Sequence, residues 1–214
     1  MTIFVFVADG WGGVNGGINC FNYDLAIACA HIKKSNQDIR ICCAIPDLNS
    51  EQKAEMRKEG IIPITISNGD FHSLEAAQVI SDKMKAEQKL RRCYPERCNT
   101  FCVGHDVYTG DLSRQLAKIC DGWNIVFHHM DYSSYYLFGK RNVPSYKEKV
   151  KRQKTILGHA DLVCAIGPML LQSAEDMARE TNTRTMEVFP GLAAFDTLET
   201  PPNRFTPIVF GNIA

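Results

Sequence analysis

The chain has 214 residues, 45% of them hydrophobic, enough to build one large domain or two small ones around a real core. Lysine plus arginine equals aspartate plus glutamate at 24 each, so no global field draws the protein to nucleic acid. Nine cysteines lie scattered without a disulfide framework, which points to a reducing, cytoplasmic setting.

Ile3-Phe4-Val5-Phe6-Val7 reads as a strand buried on both faces. It is far too short for a signal or membrane span, and no basic n-region precedes it. Gly10, Gly12, Gly13, Gly16 and Gly17 follow, and then Ile18, Phe21, Leu25, Cys29 and Ile32 recur at helical spacing. The glycines therefore sit where a strand hands over to a helix. Glycine permits positive φ and close backbone approach, and the free N–H groups of a helix start suit a phosphate. No strict G-x-G-x-x-G can be drawn through the loop, and no Gly-Lys-Ser/Thr follows it.

A second strand spans 38–45, and Asn49 or Ser50 caps a polar helix that runs to Gly60. Ile61 to Ile66 is a third strand, which its proline places at an edge or a strand start. Leu74, Ala77, Ile80 and Met84 mark a helix; Thr100 to Gly104 is a strand; Leu112, Leu116 and Ile119 mark another helix. Strands at 124–127, 162–166 and 186–189 follow, with helices predicted from about Ser145 to Leu157 and from Pro168 through Met177. Strand and helix alternate throughout, which predicts an α/β, Rossmann-like open sheet, mainly parallel, with helices on both faces. Residues 199–214 read as a proline-rich linker and a fresh strand that begins a second domain.

In such sheets ligands bind beyond the carboxyl ends of the strands. Three polar loops fall there: the glycine loop, His105-Asp106-Val107-Tyr108-Thr109-Gly110, and His128-His129-Met130-Asp131-Tyr132. Cys93-x4-Cys98-x3-Cys102 lacks paired C-x-x-C spacing and a completing histidine, so no metal is expected. Lys83–Arg97 carries six positive and two negative side chains, and Lys140–Lys154 seven and one. Each is either a solvated face or one that meets anionic membrane or a phosphorylated acceptor.

The glycine loop ending Gly16-Gly17-Ile18 resembles the start of retaining glycosyltransferases of family four, built as two facing Rossmann-like domains (GT-B). Val103-Gly104-His105-Asp106, Val126-Phe127-His128-His129-Met130-Asp131-Tyr132, Ala160-Asp161-Leu162-Val163 with Gly167-Pro168, and Pro190-Gly191 are similar to motifs of that family. The resemblance covers nearly all of residues 1–200. It implies sugar transfer from a nucleoside-diphosphate sugar to a sugar or lipid-linked acceptor, with configuration retained, no metal and no separate cofactor. It also implies that residues 1–198 are the acceptor-side domain and that a C-terminal domain of the same protein holds most of the donor. His128 is then the catalytic histidine, hydrogen-bonded to the transferred sugar. Asn15, Gly16, Gly17, His105, Asp106, His129, Asp131 and Tyr132 are the substrate-binding set. The family's Glu-x7-Glu element has no match in context here. Two alternatives stand beside this reading. One is a non-catalytic Rossmann-like module of a larger protein; the other is an NAD-dependent oxidoreductase with Asp47 as ribose contact. The expected place is the cytoplasm, with peripheral contact at a membrane.

Overall fold

Short runs of Val, Ile, Phe and Cys, each bounded by turn residues, form the seven strands of one parallel sheet in the computed structural model. It describes residues 1–13, 16–33, 38–67, 73–90, 98–137, 143–181 and 183–189. In chain order these are β1 (Thr2–Val7), α1 (Gly17–Lys33), β2 (Ile39–Pro46), α2 (Ser50–Lys58), β3 (Ile62–Ile66), α3 (Leu74–Leu90) and β4 (Asn99–His105). Then come α4 (Asp106–Cys120), β5 (Trp123–His128), α5 (Tyr132–Leu137), α6 (Val143–Gly158), β6 (Leu162–Ile166), α7 (Pro168–Ala178) and β7 (Arg184–Val188).

The sheet order is β3-β2-β1-β4-β5-β6-β7, so Pro63 does lie on an edge strand. The order reverses between β1 and β4, where Thr2 to Phe6 pair with Asn99 to Val103. In open parallel sheets ligands bind at such a switch, beyond the carboxyl ends of the strands, here those of β1 and β4. Alternate residues of each strand feed opposite layers. Ile3, Val5 and Val7 join Ile80, Met84, Leu112 and Leu116 from α3 and α4, whereas Phe6, Ile41 and Cys43 join Ala26, Ala30 and Met56 from α1 and α2. A third cluster seats Ile156, Leu157 and Ala174 of α6 and α7 on Val126, Val163 and Ala165.

Asn49 caps α2 through a reciprocal box with Gln52, and Gly60, at φ 80°, closes that turn as expected. Three local expectations change. The stretch read as a loop after β4 is helical from Asp106 onward, so its polar residues start α4. The innermost face of α1 is Asn19, Asn22, Ala26 and Ala30; Ile18, Phe21 and Leu25 are half-buried, and Ile32 is 62% exposed. A short helix, α5, stands in the segment read as a loop after β5. The expected linker and strand at 199–214 lie outside the described residues, as do Asn15, Cys93 and the Pro190-Gly191 turn.

Candidate functional site

Both strands at the switch point end in chemistry. After β1 the chain turns through Gly12 (φ 81°) and Gly16 (φ 102°), where other residues are strained. Gly16 O accepts the Cys20 N–H at 3.0 Å, so Gly16 caps α1, and the first N–H groups of a helix have no carbonyl acceptor within it. Among the described residues a Cβ at Gly12, Gly16 or Gly17 would meet nothing within 4 Å, so these three positions face open space. Its other side is anchored. Trp11 donates its indole N–H to Glu55 Oε2 at 2.8 Å, Tyr23 donates to Glu55 Oε1 at 3.0 Å, and the two rings meet edge-on.

The ends of β4 and β5 carry a buried polar network. Asp106 is fully buried at the first turn of α4, with a left-handed φ of 40°. Its Oδ1 faces His128 Nδ1 at 2.9 Å and accepts from Gln153 Nε2 at 3.1 Å; its Oδ2 accepts the His129 backbone N–H at 2.8 Å. With a carboxylate on Nδ1, the neutral ring carries its proton there, and His128 Nε2 is left toward Ser173 Oγ at 3.4 Å. His105 Nε2 lies 2.9 Å from Asn22 Oδ1, and its Nδ1 lies 3.0 Å from His129 Nε2. Phe21 meets both of these imidazoles edge-on. Gln153 clamps the following segment by donating to Met130 O at 2.6 Å and accepting from Tyr132 N–H at 3.3 Å.

Burial, and then the neighbouring His129, push His105 well below its ordinary value, so it is neutral at pH 7. Burial also lowers His129; Asp106 opposes this and His128 adds to it.

The structure brings His105, Asp106, His128 and His129 together across β4 and β5, beside the glycine loop. It seats them differently from one another. His105, Asp106 and His128 are fully enclosed, and His129 is the partly exposed ring of the four. His128 has protein partners at both nitrogens, so a sugar reaches it only by displacing Ser173 from the long 3.4 Å contact. Asp131 is occupied in starting α5, accepting from Ser133 N–H, Ser133 Oγ and Ser134 Oγ at 2.6 to 2.8 Å. Burial opposes its charge, but these hydrogen bonds outweigh it and hold the carboxyl below its ordinary value. Tyr132 is 3% exposed and belongs to the third core cluster.

Neither Asn22, Gln153 nor Ser173 belongs to the predicted site; each has apolar neighbours at helical spacing and reads as part of a helix face. A cleft of about 820 Å³ opens at the opposite, amino edge of the sheet, lined by Asn99, Phe101, Trp123 and Arg184 among others. It holds none of these groups, and the carboxyl edge is where the helix N-terminus and the titratable side chains meet. Among the described residues no three His, Cys, Asp or Glu side chains are grouped to hold a metal ion. Among the same residues no helix is long and apolar enough to cross a membrane.

A seven-stranded parallel sheet with a phosphate-compatible helix start at its switch point is a Rossmann-like architecture, similar to that of GT-B glycosyltransferases. The chain belongs to the family described as "Family 4 Glycosyltransferase in conflict systems", whose model matches residues 5–213. No curated protein matches the sequence significantly. Among solved structures it is similar to a UDP-glucosyltransferase from Polygonum tinctorium, capable of glucosylating indoxyl (10% identity, TM-score 0.50, covering 94% of this chain and 55% of that one). It is also similar to UGT2 of Phytolacca americana (6% identity, TM-score 0.50, 89% and 52%). HepE of Anabaena, solved with UDP and glucose, is at 14% identity and TM-score 0.46, with 89% and 44% covered. The chain thus spans about half the length of these structures.

Proposed function

We propose that this chain is the acceptor-side, N-terminal domain of a retaining glycosyltransferase that moves a sugar from a nucleoside-diphosphate sugar to a hydroxyl acceptor. One observation carries the reading. The open N-terminus of α1 and the histidine–aspartate network flank the same switch point, in a chain of a glycosyltransferase family. When the glycosidic bond breaks, negative charge grows on the departing diphosphate, and preorganised N–H donors at Gly17 and Ile18 would stabilise it. His129 faces the acceptor, held from behind by His105 at its ring and by Asp106 at its backbone N–H. His128 acts on the sugar face either directly or through Ser173. The remaining donor contacts belong to a second domain of the same protein, and the half-length coverage supports that arrangement. No resident cofactor takes part in this scheme.

The test is turnover of a panel of nucleotide sugars, UDP-glucose and GDP-mannose among them, by the full-length protein. Transfer or slow hydrolysis with the anomeric configuration kept, and weak binding without turnover by residues 1–214 alone, are the expected results. Inverted product would overturn the retaining assignment. NAD binding with no response to any nucleotide sugar would restore the oxidoreductase reading.

A further inference from the structure

Asn22 sits on the innermost face of α1, fully buried, with its oxygen 2.9 Å from His105 Nε2. Among the described residues its Nδ2 is buried without a partner. A leucine or alanine would fill this face without that desolvation, so the hydrogen bond to His105 is what the asparagine contributes. A carbonyl oxygen only accepts, and therefore His105 carries its proton on Nε2. A neutral imidazole has one proton, which leaves Nδ1 of His105 as an acceptor. At 3.0 Å the His129 Nε2 opposite it must then donate. That leaves the lone pair of His129 on Nδ1. Among the described residues no side chain or backbone group meets that atom, and the ring is partly exposed. The neutrality of both rings agrees with their burial.

We propose that Asn22 and His105 form a relay that fixes His129 as the tautomer with a bare Nδ1, so that this ring accepts a hydrogen bond from a hydroxyl of the acceptor. Asn22 and His105 are positioning residues; His129 is the one that meets substrate. Naming the hydroxyl as an acceptor substrate rests on the function proposed above, whereas the tautomer stands on geometry alone. An acceptor at this atom orients a hydroxyl oxygen toward the donor's anomeric carbon without removing the proton outright.

The experiment is histidine-selective ¹⁵N labelling of the full-length protein and two-bond ¹H–¹⁵N correlation near neutral pH. In the wild type, Nδ1 of His129 should be unprotonated and Nε2 protonated, and His105 should show the same pattern. Asn22→Asp, whose carboxylate also only accepts, should keep both patterns. Asn22→Leu should give mixed tautomers at both rings. Glucose, added as a hydroxyl-bearing probe, should shift His129 Nδ1 in the wild type and in Asn22→Asp.

A protonated Nδ1 at His129 in the wild type, the outcome of a reversed Asn22 amide, overturns the relay. So does an unchanged pattern in Asn22→Leu. Should that variant fail to fold, the wild-type and Asn22→Asp spectra still decide. A bare Nδ1 that glucose does not move removes the hydroxyl partner. Sugar transfer by a protein whose His129 holds mixed tautomers overturns the relay and leaves the glycosyltransferase reading standing.

Discussion

Asp106 accepts three hydrogen bonds, from His128, Gln153 and the His129 backbone, while its own backbone is left-handed at φ 40°. A strained residue held by that many partners marks a constrained position. Asp106→Ala would leave a buried imidazole N–H, an amide and a backbone N–H without their acceptor. Breaking a buried pair of this kind costs about 3–5 kcal/mol. Urea unfolding should show that loss, and a variant within about 1 kcal/mol of wild type would mean that the carboxylate is dispensable.

The neighbouring histidines set a pH dependence. His105 and His129 are both lowered in the folded protein, so below their ordinary value near 6.5 the unfolded chain binds more protons than the native one. Stability is full above that value and falls as pH drops from about 6.5 toward the lowered native values. The titratable groups facing the pair are His128 and Asp106, hydrogen-bonded to one another. Melting temperatures from pH 7.5 to 5 should fall, and His105→Gln should flatten the slope. A flat wild-type profile would show that folding does not lower these rings below their ordinary value.

At the level of elements, glycines let the helices close on the sheet beside the network. A Cβ at Gly110 would lie 2.6 Å from Ile156 Cγ2, a branched methyl in the α4–α6 contact. A Cβ at Gly104 would lie 2.8 Å from Thr109 O. Gly110→Ala should therefore cost about 1–3 kcal/mol through overpacking, measured by chemical unfolding. An unchanged midpoint would mean that α6 shifts freely.

The same elements show what the sequence can convey. Strand runs such as Ile3–Val7 and helix stripes such as Leu112, Leu116 and Ile119 are periodic, and each lies within an element of the type its spacing predicts. The start of α4 was hidden because His105-Asp106 through Gly110 has loop composition, and no side chain caps the helix at His105. Gln153 belongs to a basic run that reads as a solvated or an anion-facing surface, yet Val150, Ile156 and Leu157 put it on an apolar stripe. A polar residue on such a stripe was the available signal. Asn22 was masked by its larger neighbours Phe21 and Leu25, which suggested a face rotated by one residue. The pairing of His105 with His129 joins residues 24 positions apart, and it depends on strand register that no local pattern carries.

On the scale of the whole molecule, strand order does the positioning. The reversal between β1 and β4 places an anion-compatible helix start beside two strand ends that carry histidines. α6 bounds this region, and its basic character is partly spent: Arg152 pairs with Asp111 at 2.7 Å and Lys154 lies 3.4 Å from Glu180. Lys147, Lys149 and Lys151 are exposed, and Lys149 lies over the Tyr132 ring. If this face meets anionic membrane, vesicles containing phosphatidylserine should bind at low salt and release the protein as salt rises. Binding that ignores salt, or no binding, would return α6 to an ordinary solvated face.

The central claim is that this carboxyl edge forms one wall of a sugar-transfer site. Nucleotide-sugar turnover by the full-length protein, wild type beside His129→Ala, with a melting temperature for each, tests it most directly. The account predicts that kcat falls on the order of a hundredfold at a nearly unchanged melting temperature, the signature of losing one preorganised hydrogen bond at the reacting group. Turnover that is unchanged, or that falls only in step with the folded fraction, would contradict it.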